Sequence, residues 1–158
     1  VRWQDVLADK QLQDLPYKIE LNRWGQIVMS PAKPKHSFYQ GRILQLLATL
    51  APGGQAVPEL AVLTSDNVKV VDAAWISDGR IGQIVQEDVA SIAPEICVEI
   101  RSASNSEAEM QAKRELYLEA GATEFWICSN DGRISFFDRE GQRPGSTLVP
   151  NFPDRITL

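Results

Sequence analysis

Two stretches decide the reading, Asn67–Ser77 (NVKVVDAAWIS) and Glu95–Ile100 (EICVEI). Each is a Val- and Ile-rich run of the kind that forms strands, and each carries an acid inside it, Asp72 in the first and Glu99 in the second. A carboxylate in such a run is expensive to bury unless a cation or a hydrogen-bond donor compensates it. By the two-residue period of a strand, Ile96, Val98 and Ile100 face one side while Cys97, Glu99 and Arg101 face the other. If the two strands are neighbours, Asp72 and Glu99 approach to bridging distance. Two carboxylates that close repel each other, and a divalent cation is the usual way to hold both ionised.

Beyond EICVEI the pattern turns helical. Ser104 followed by Glu107 fits a capping box, Met110, Lys113, Tyr117 and Ala120 share one face, and Gly121 closes the segment. Lys113 therefore comes from the helix directly after the second acidic strand, with Glu109 and Tyr117 four residues to either side. From there a lysine could polarise an attacking water or stabilise charge on a phosphate. The same residues also allow a purely structural ion pair, Glu99 with Arg101 or Lys113.

Upstream, Tyr39, Ile43, Leu46, Leu47 and Leu50 recur at helical steps, predicting a helix over His36–Leu50 that ends at APGG. Before it, YKIEL and QIVMS flank Asn22–Gly25 as a hairpin, and the prolines of SPAKPK take the chain out of the sheet. Trp3 to Leu12 reads as a short helix. AVPELAVL, EFWICS and RISFFD are further strands, and SDGRIGQIVQEDVASIAP is a long excursion between two strands. The sum is an α/β domain over residues 1–158, a central mixed sheet flanked by helices.

The chain of 158 residues, 44% apolar and 23% charged, is large and apolar enough to bury a core as one folded domain. Cys97 and Cys128 lie in apolar runs and read as buried free thiols. No apolar run reaches the roughly 18 residues of a membrane helix. VRWQDVLADK lacks the basic-then-apolar order of a leader, so a cytoplasmic protein is expected, although a start at Val leaves an earlier leader open. A formal charge of -5 argues against broad gripping of nucleic acid by a basic surface and leaves a local basic patch open. No glycine-rich phosphate loop, kinase signature or nucleophile elbow is present.

The order of motifs resembles the Uma-family proteins, a restriction-endonuclease-like group of the PD-(D/E)XK superfamily abundant in cyanobacteria. The resemblance is carried by YKIELNRWGQIVMSPAKPKH, NVKVVDAAWIS, PEICVEIRSASNS and KRELYLEAGATEFWICSNDGRISFFDRE. It implies a restriction-endonuclease-like fold in which Asp72 and Glu99 bind magnesium or manganese, with the carbonyl of Ile100 as a further ligand. A lysine then assists in-line hydrolysis of a DNA phosphodiester, here Lys113 on the helix. Arg101 stands where the superfamily has a strand lysine; it keeps the charge but cannot titrate. Glu109 replaces an aspartate one turn before Lys113, Val71 replaces the proline before Asp72, and Ser102, Ala103 and Ser104 replace serine-proline-serine. Gln40, or another residue of the same helix, stands where many nucleases carry an extra acid, so one strong metal position is expected.

Glu20 matches a family glutamate and either lines the cleft or pairs on the hairpin with Lys18 or Arg23. His36, the single histidine, is either a phosphate or cleft contact or a packing residue at the helix start. Glu59, on the strand before Asp72, is a further cleft candidate, and Tyr117 either orients Lys113 or fills the core. The resemblance also implies DNA as partner and a homodimer. Two other readings stay open, a nuclease fold without catalysis that serves as a binding or structural module, and a hydrolase of a small phosphorylated substrate.

Overall fold

The computed structural model describes residues 1–158. Its organising element is the hairpin of β3 (Gly54–Thr64) and β4 (Asn67–Ser77), antiparallel from Gly54↔Ser77 to Thr64↔Asn67. Thr64 closes the turn by donating its hydroxyl to the Asn67 carbonyl at 2.7 Å. β4 pairs on its other side with β5 (Ile96–Ile100), antiparallel, and β5 pairs parallel with β6 (Glu124–Cys128). β7 (Ile134–Asp138) and β8 (Gly141–Arg143) complete a six-stranded mixed sheet in the order β3-β4-β5-β6-β7-β8.

A parallel pair needs a crossover, and α4 (Glu107–Glu119) supplies it between β5 and β6. Strand alternation then assigns the two faces. Ile96, Val98 and Ile100 pack with Ala73 and Trp126 under Tyr39, Ile43 and Leu47 of α2 (Pro34–Leu50). Cys97 faces the opposite layer with Ala74 and Phe125, under Met110, Tyr117 and Leu118 of α4 and Ile84 of α3 (Asp78–Ile84). A third, small cluster joins Trp3 and Val6 of α1 (Trp3–Ala8) and Leu21 of β1 (Tyr17–Leu21) to Val68 and Val70. That cluster docks the hairpin of β1 and β2 (Ile27–Pro31) onto the first half of β4, next to Asp72.

Several local expectations are corrected. The hairpin of β1 and β2 forms its own two-stranded sheet instead of joining the main one. The excursion from Ser77 to Pro94 contains α3, capped by the Ser77 hydroxyl accepting from the Arg80 amide. Ser106, not Ser104, caps α4, because its hydroxyl accepts from the Glu109 amide, while Ser104 bonds the Ser102 hydroxyl in the preceding loop. The first helix stops at Ala8, where Asp9 caps a separate turn over Lys10–Leu12. Both cysteines are buried and unpaired, as expected. No helix is long and apolar enough to cross a membrane.

Candidate metal centre

β4 and β5 are in register at Ala73↔Val98 and Ala74↔Cys97. One step further along the same register sets Asp72 opposite Glu99, on the face that carries Ala74 and Cys97 two residues away. Both carboxylates are 2% exposed, so each requires compensation inside the protein. Asp72 Oδ2 accepts from the Ile100 amide at 2.8 Å, which fixes the carboxylate and leaves Oδ1 toward Glu99 and the hairpin. Glu99 Oε1 accepts from the Tyr117 hydroxyl at 2.9 Å, which leaves Oε2 toward Asp72.

The gap between them is bridged by a cation. Lys18 Nζ, from β1, lies 3.0 Å from Asp72 Oδ1 and 3.1 Å from Glu99 Oε2. Lys113 Nζ reaches back from α4 to Glu20 Oε1 at 3.3 Å and Glu99 Oε1 at 3.5 Å. Glu20 is buried and anchored by the Val70 amide at 2.8 Å, and its Oε2 lies 3.9 Å from Lys18 Nζ. Lys18, Glu99, Lys113 and Glu20 therefore form a closed ring of alternating charge, with Asp72 attached at Lys18. His36, at the start of α2, approaches Asp72 Oδ1 with Nε2 at 3.3 Å, and its buried Nδ1 has no partner.

The charges act on one another in opposite directions. Burial favours the neutral form of Asp72, but the Lys18 ammonium and then the His36 hydrogen bond overcome it and hold Asp72 well below the usual carboxylate range. Burial and then the ionised Asp72 push Glu99 above that range, against the pull of Lys113 and Lys18. Burial works against the Lys18 ammonium, yet Glu99, Asp72 and Glu20 together raise it well above an ordinary lysine. The hydrogen bond to Asp72 raises His36. Tyr117 is raised by burial and then by Glu99, so it stays a hydrogen-bond donor.

The structure thus gathers Asp72, Glu99, Lys113, Glu20, His36 and Tyr117. Other expected residues lie elsewhere. Arg101 falls just past the end of β5 and turns to the loop and α4, with Nε donating to the Asn105 carbonyl and a terminal nitrogen 2.9 Å from Glu107. This corrects its placement beside Glu99, since strand alternation no longer applies once β5 has ended. Glu109 is exposed and accepts from Asn105 rather than facing Lys113. Ile100, expected to offer its carbonyl, does sit at the centre, and its contact there is its amide donating to Asp72. Glu59 is exposed, and with φ +51° it interrupts the ladder opposite Asp72. There Gln40 Nε2 takes over, donating to Glu59 Oε1 at 2.8 Å and to the Asp72 carbonyl at 2.7 Å. Gln40 is thus an anchor for this break in the sheet.

Lys18 is the residue sequence reasoning placed on the hairpin surface. The signal for it was available: in YKIEL it alternates with Glu20, so a buried Glu20 brings Lys18 to the same face of β1.

The donor set suits a hard divalent ion. No three His, Cys, Asp or Glu side chains are gathered as a ready-made cage. Magnesium, however, is commonly held by one or two carboxylates, with waters and substrate phosphates completing its shell. Two facing carboxylate oxygens that already share one ammonium provide that arrangement.

Among solved structures, a protein of Anabaena variabilis ATCC 29413 described as a putative nuclease belonging to DUF820 matches with a TM-score of 0.73. The match covers 96% of this chain and 93% of that one at 17% identity, a likeness of fold that agrees with the restriction-endonuclease-like layout. No curated protein matches. The family model described as "Uma2: Putative restriction endonuclease" matches residues 9–158, and the chain belongs to that family.

Proposed function

We propose that the chain is a magnesium- or manganese-dependent endonuclease that hydrolyses DNA phosphodiester bonds at the Asp72–Glu99 pair. The observation that carries this reading is the pair itself: two buried carboxylates on neighbouring strands, each with one oxygen fixed by a donor and the other turned to a shared cation. Asp72 and Glu99 would hold the ion, and a divalent ion there would supply Lewis acidity against charge developing on the phosphate. Lys113, held by Glu20 and Glu99, contributes a fixed positive charge to the same phosphate, which stabilises a transition state more than a solvated lysine does because it need not reorganise. His36 and the Ile100 amide keep Asp72 ionised and oriented. Tyr117 does the same for the rotamer of Glu99.

DNA as substrate is supported by the family and by Lys33 and Lys35. Both are exposed, have no acidic partner, and lie just before His36, whose ring approaches Asp72. Cutting both strands of a duplex calls for two centres, so the active form in this proposal is a homodimer. The buried unpaired thiols fit a reducing cytoplasm.

Supercoiled and linear DNA incubated with Mg2+ or Mn2+ tests the proposal. The parent should nick or cut only with the ion present, and Glu99→Gln should do neither. Ion binding without cleavage of any DNA form would refute catalysis and favour the second reading, a nuclease fold acting as a module. One observation favours that second reading: two surface depressions, one around Arg80, Thr123 and Arg143 and one around Val57, Ile81 and Val89, lie away from the ion-paired centre.

A further inference from the structure

The ion-paired centre holds three carboxylates, Glu20, Asp72 and Glu99, against two ammonium groups, Lys18 and Lys113. The two cations are not equivalent. Lys113 pairs with Glu20 and Glu99 from α4 and touches neither oxygen that faces the gap. Lys18 occupies the gap, with its ammonium bridging Asp72 Oδ1 and Glu99 Oε2, the two oxygens left free by Ile100 and Tyr117. An ion held by this pair needs the space that Lys18 fills.

With all three carboxyls ionised, as a bound divalent ion requires, and His36 counted as neutral, the cluster is one positive charge short with Lys18 in place. Exchanging the ammonium for a divalent ion makes up that charge, because a charge of two then replaces a charge of one beside the same carboxylates. Lys18 can leave without disturbing the sheet. It comes from β1 of the separate hairpin, and its own strand ladder runs only to β2. A lysine side chain is four flexible methylenes ending in a strongly hydrated charge, so release to water suits it.

We infer that Lys18 is an exchangeable internal counter-ion, holding Asp72 and Glu99 together in the metal-free protein and giving up its place when a divalent ion binds. This rests on the metal-site reading above and adds to it a competitor built into the chain. Lys18 then sets the ion affinity: it weakens binding while sparing the apo-protein two uncompensated buried carboxylates.

The test compares Mn2+ and Mg2+ binding by calorimetry in the parent and in Lys18→Met, alongside thermal melting in EDTA and in saturating ion. Lys18→Met should melt lower than the parent in EDTA, gain more from the ion, and bind it at least about tenfold more tightly, the equivalent of ~1.4 kcal/mol. Equal or weaker binding by Lys18→Met overturns the counter-ion role while leaving the metal site standing. Absence of binding in both proteins overturns the two together. A readout on the parent covers the case in which Lys18→Met does not fold. The side-chain ammonium resonance of Lys18, assigned by its loss in Lys18→Arg, should change from a protected to a water-exchanging signal as Mg2+ saturates the protein. A Lys18 signal unaltered at saturation overturns the inference.

Discussion

Replacing Asp72 by Asn and Glu99 by Gln exchanges a carboxyl for an amide in each case, at two positions that face each other and are equally buried, yet the two losses of stability should differ widely. The Asp72 carboxylate accepts from the Ile100 amide at 2.8 Å and Lys18 at 3.0 Å, with the His36 ring nitrogen 3.3 Å from the same oxygen as Lys18. An asparagine that keeps the Ile100 bond turns its NH2 toward Lys18 and His36, so donor meets donor. Breaking a buried ion pair in this way costs about 3–5 kcal/mol. Glu99 is different. With Gln in its place Lys18 keeps Asp72, Lys113 keeps Glu20, the amide oxygen can still accept from Tyr117, and the NH2, although turned toward Lys18, finds an acceptor in Asp72 that the asparagine at 72 lacks. The change also removes the repulsion from Asp72 that already pushes Glu99 toward its neutral form. Glu99→Gln should therefore cost no more than about 1.5 kcal/mol, the net worth of one hydrogen bond. At ~2–4 °C per kcal/mol for a domain of this size, melting in EDTA at pH 7 should fall by roughly 6–20 °C for Asp72→Asn and by a few degrees for Glu99→Gln. Urea denaturation should give the same ranking. A loss in Glu99→Gln equal to or larger than that in Asp72→Asn refutes the charge assignment.

Tyr117→Phe keeps the stacking on Phe125 and removes only the bond to Glu99 Oε1, so it should destabilise the protein by about 1.5–3 kcal/mol, the range for a bond to a charged group, and weaken ion binding as well. Denaturation and calorimetry on one preparation check both effects. Glu124 is buried without a cation and accepts from Trp126, Ser146, Thr147 and Leu148; Glu124→Gln turns an NH2 toward donors and should cost about 2–4 kcal/mol, measured by urea unfolding, with ion binding unchanged. The pH dependence of the metal-free protein follows from signs. Glu99 is raised in the folded state, so the folded protein binds more protons and stability falls as pH climbs above the ordinary glutamate value of 4.5. His36 is also raised, so its contribution is complete below 6.5 and is lost as pH passes its folded value. Asp72 acts oppositely, its contribution being present above 3.8 and lost in acid. Melting in EDTA should thus decline from mildly acidic to alkaline pH, and Glu99→Gln should flatten that slope; a parent that gains stability over the same range contradicts the assignment.

The parts of the fold legible in the sequence are those governed by short periods. NVKVVDAAWIS and EICVEI read as strands because their apolar residues are buried on both faces, and Asp72 and Glu99 stood out because a carboxylate there needs a reason. Helical spacing put Lys113 and Tyr117 on one face, and the resemblance to the Uma family singled out Lys113. Arg101 was misplaced because alternation was carried one residue beyond the end of β5, where the chain turns and Glu107 captures the guanidinium. Ser104 and Ser106 both offer a capping hydroxyl, and only the loop geometry chooses between them. Lys18 depended on where the β1–β2 hairpin docks. That is decided by a small cluster of Trp3, Val6, Leu21, Val68 and Val70, drawn from distant parts of the chain, whose contacts no local pattern encodes.

The central claim is that Asp72 and Glu99 together hold a divalent ion. Calorimetric titration of Mg2+ and Mn2+ into the parent, Asp72→Asn and Glu99→Gln tests it most directly, with folding of each variant verified by its melting transition. One ion bound by the parent and none by either folded variant is the predicted result; binding undiminished in both variants, or none in the parent, contradicts it.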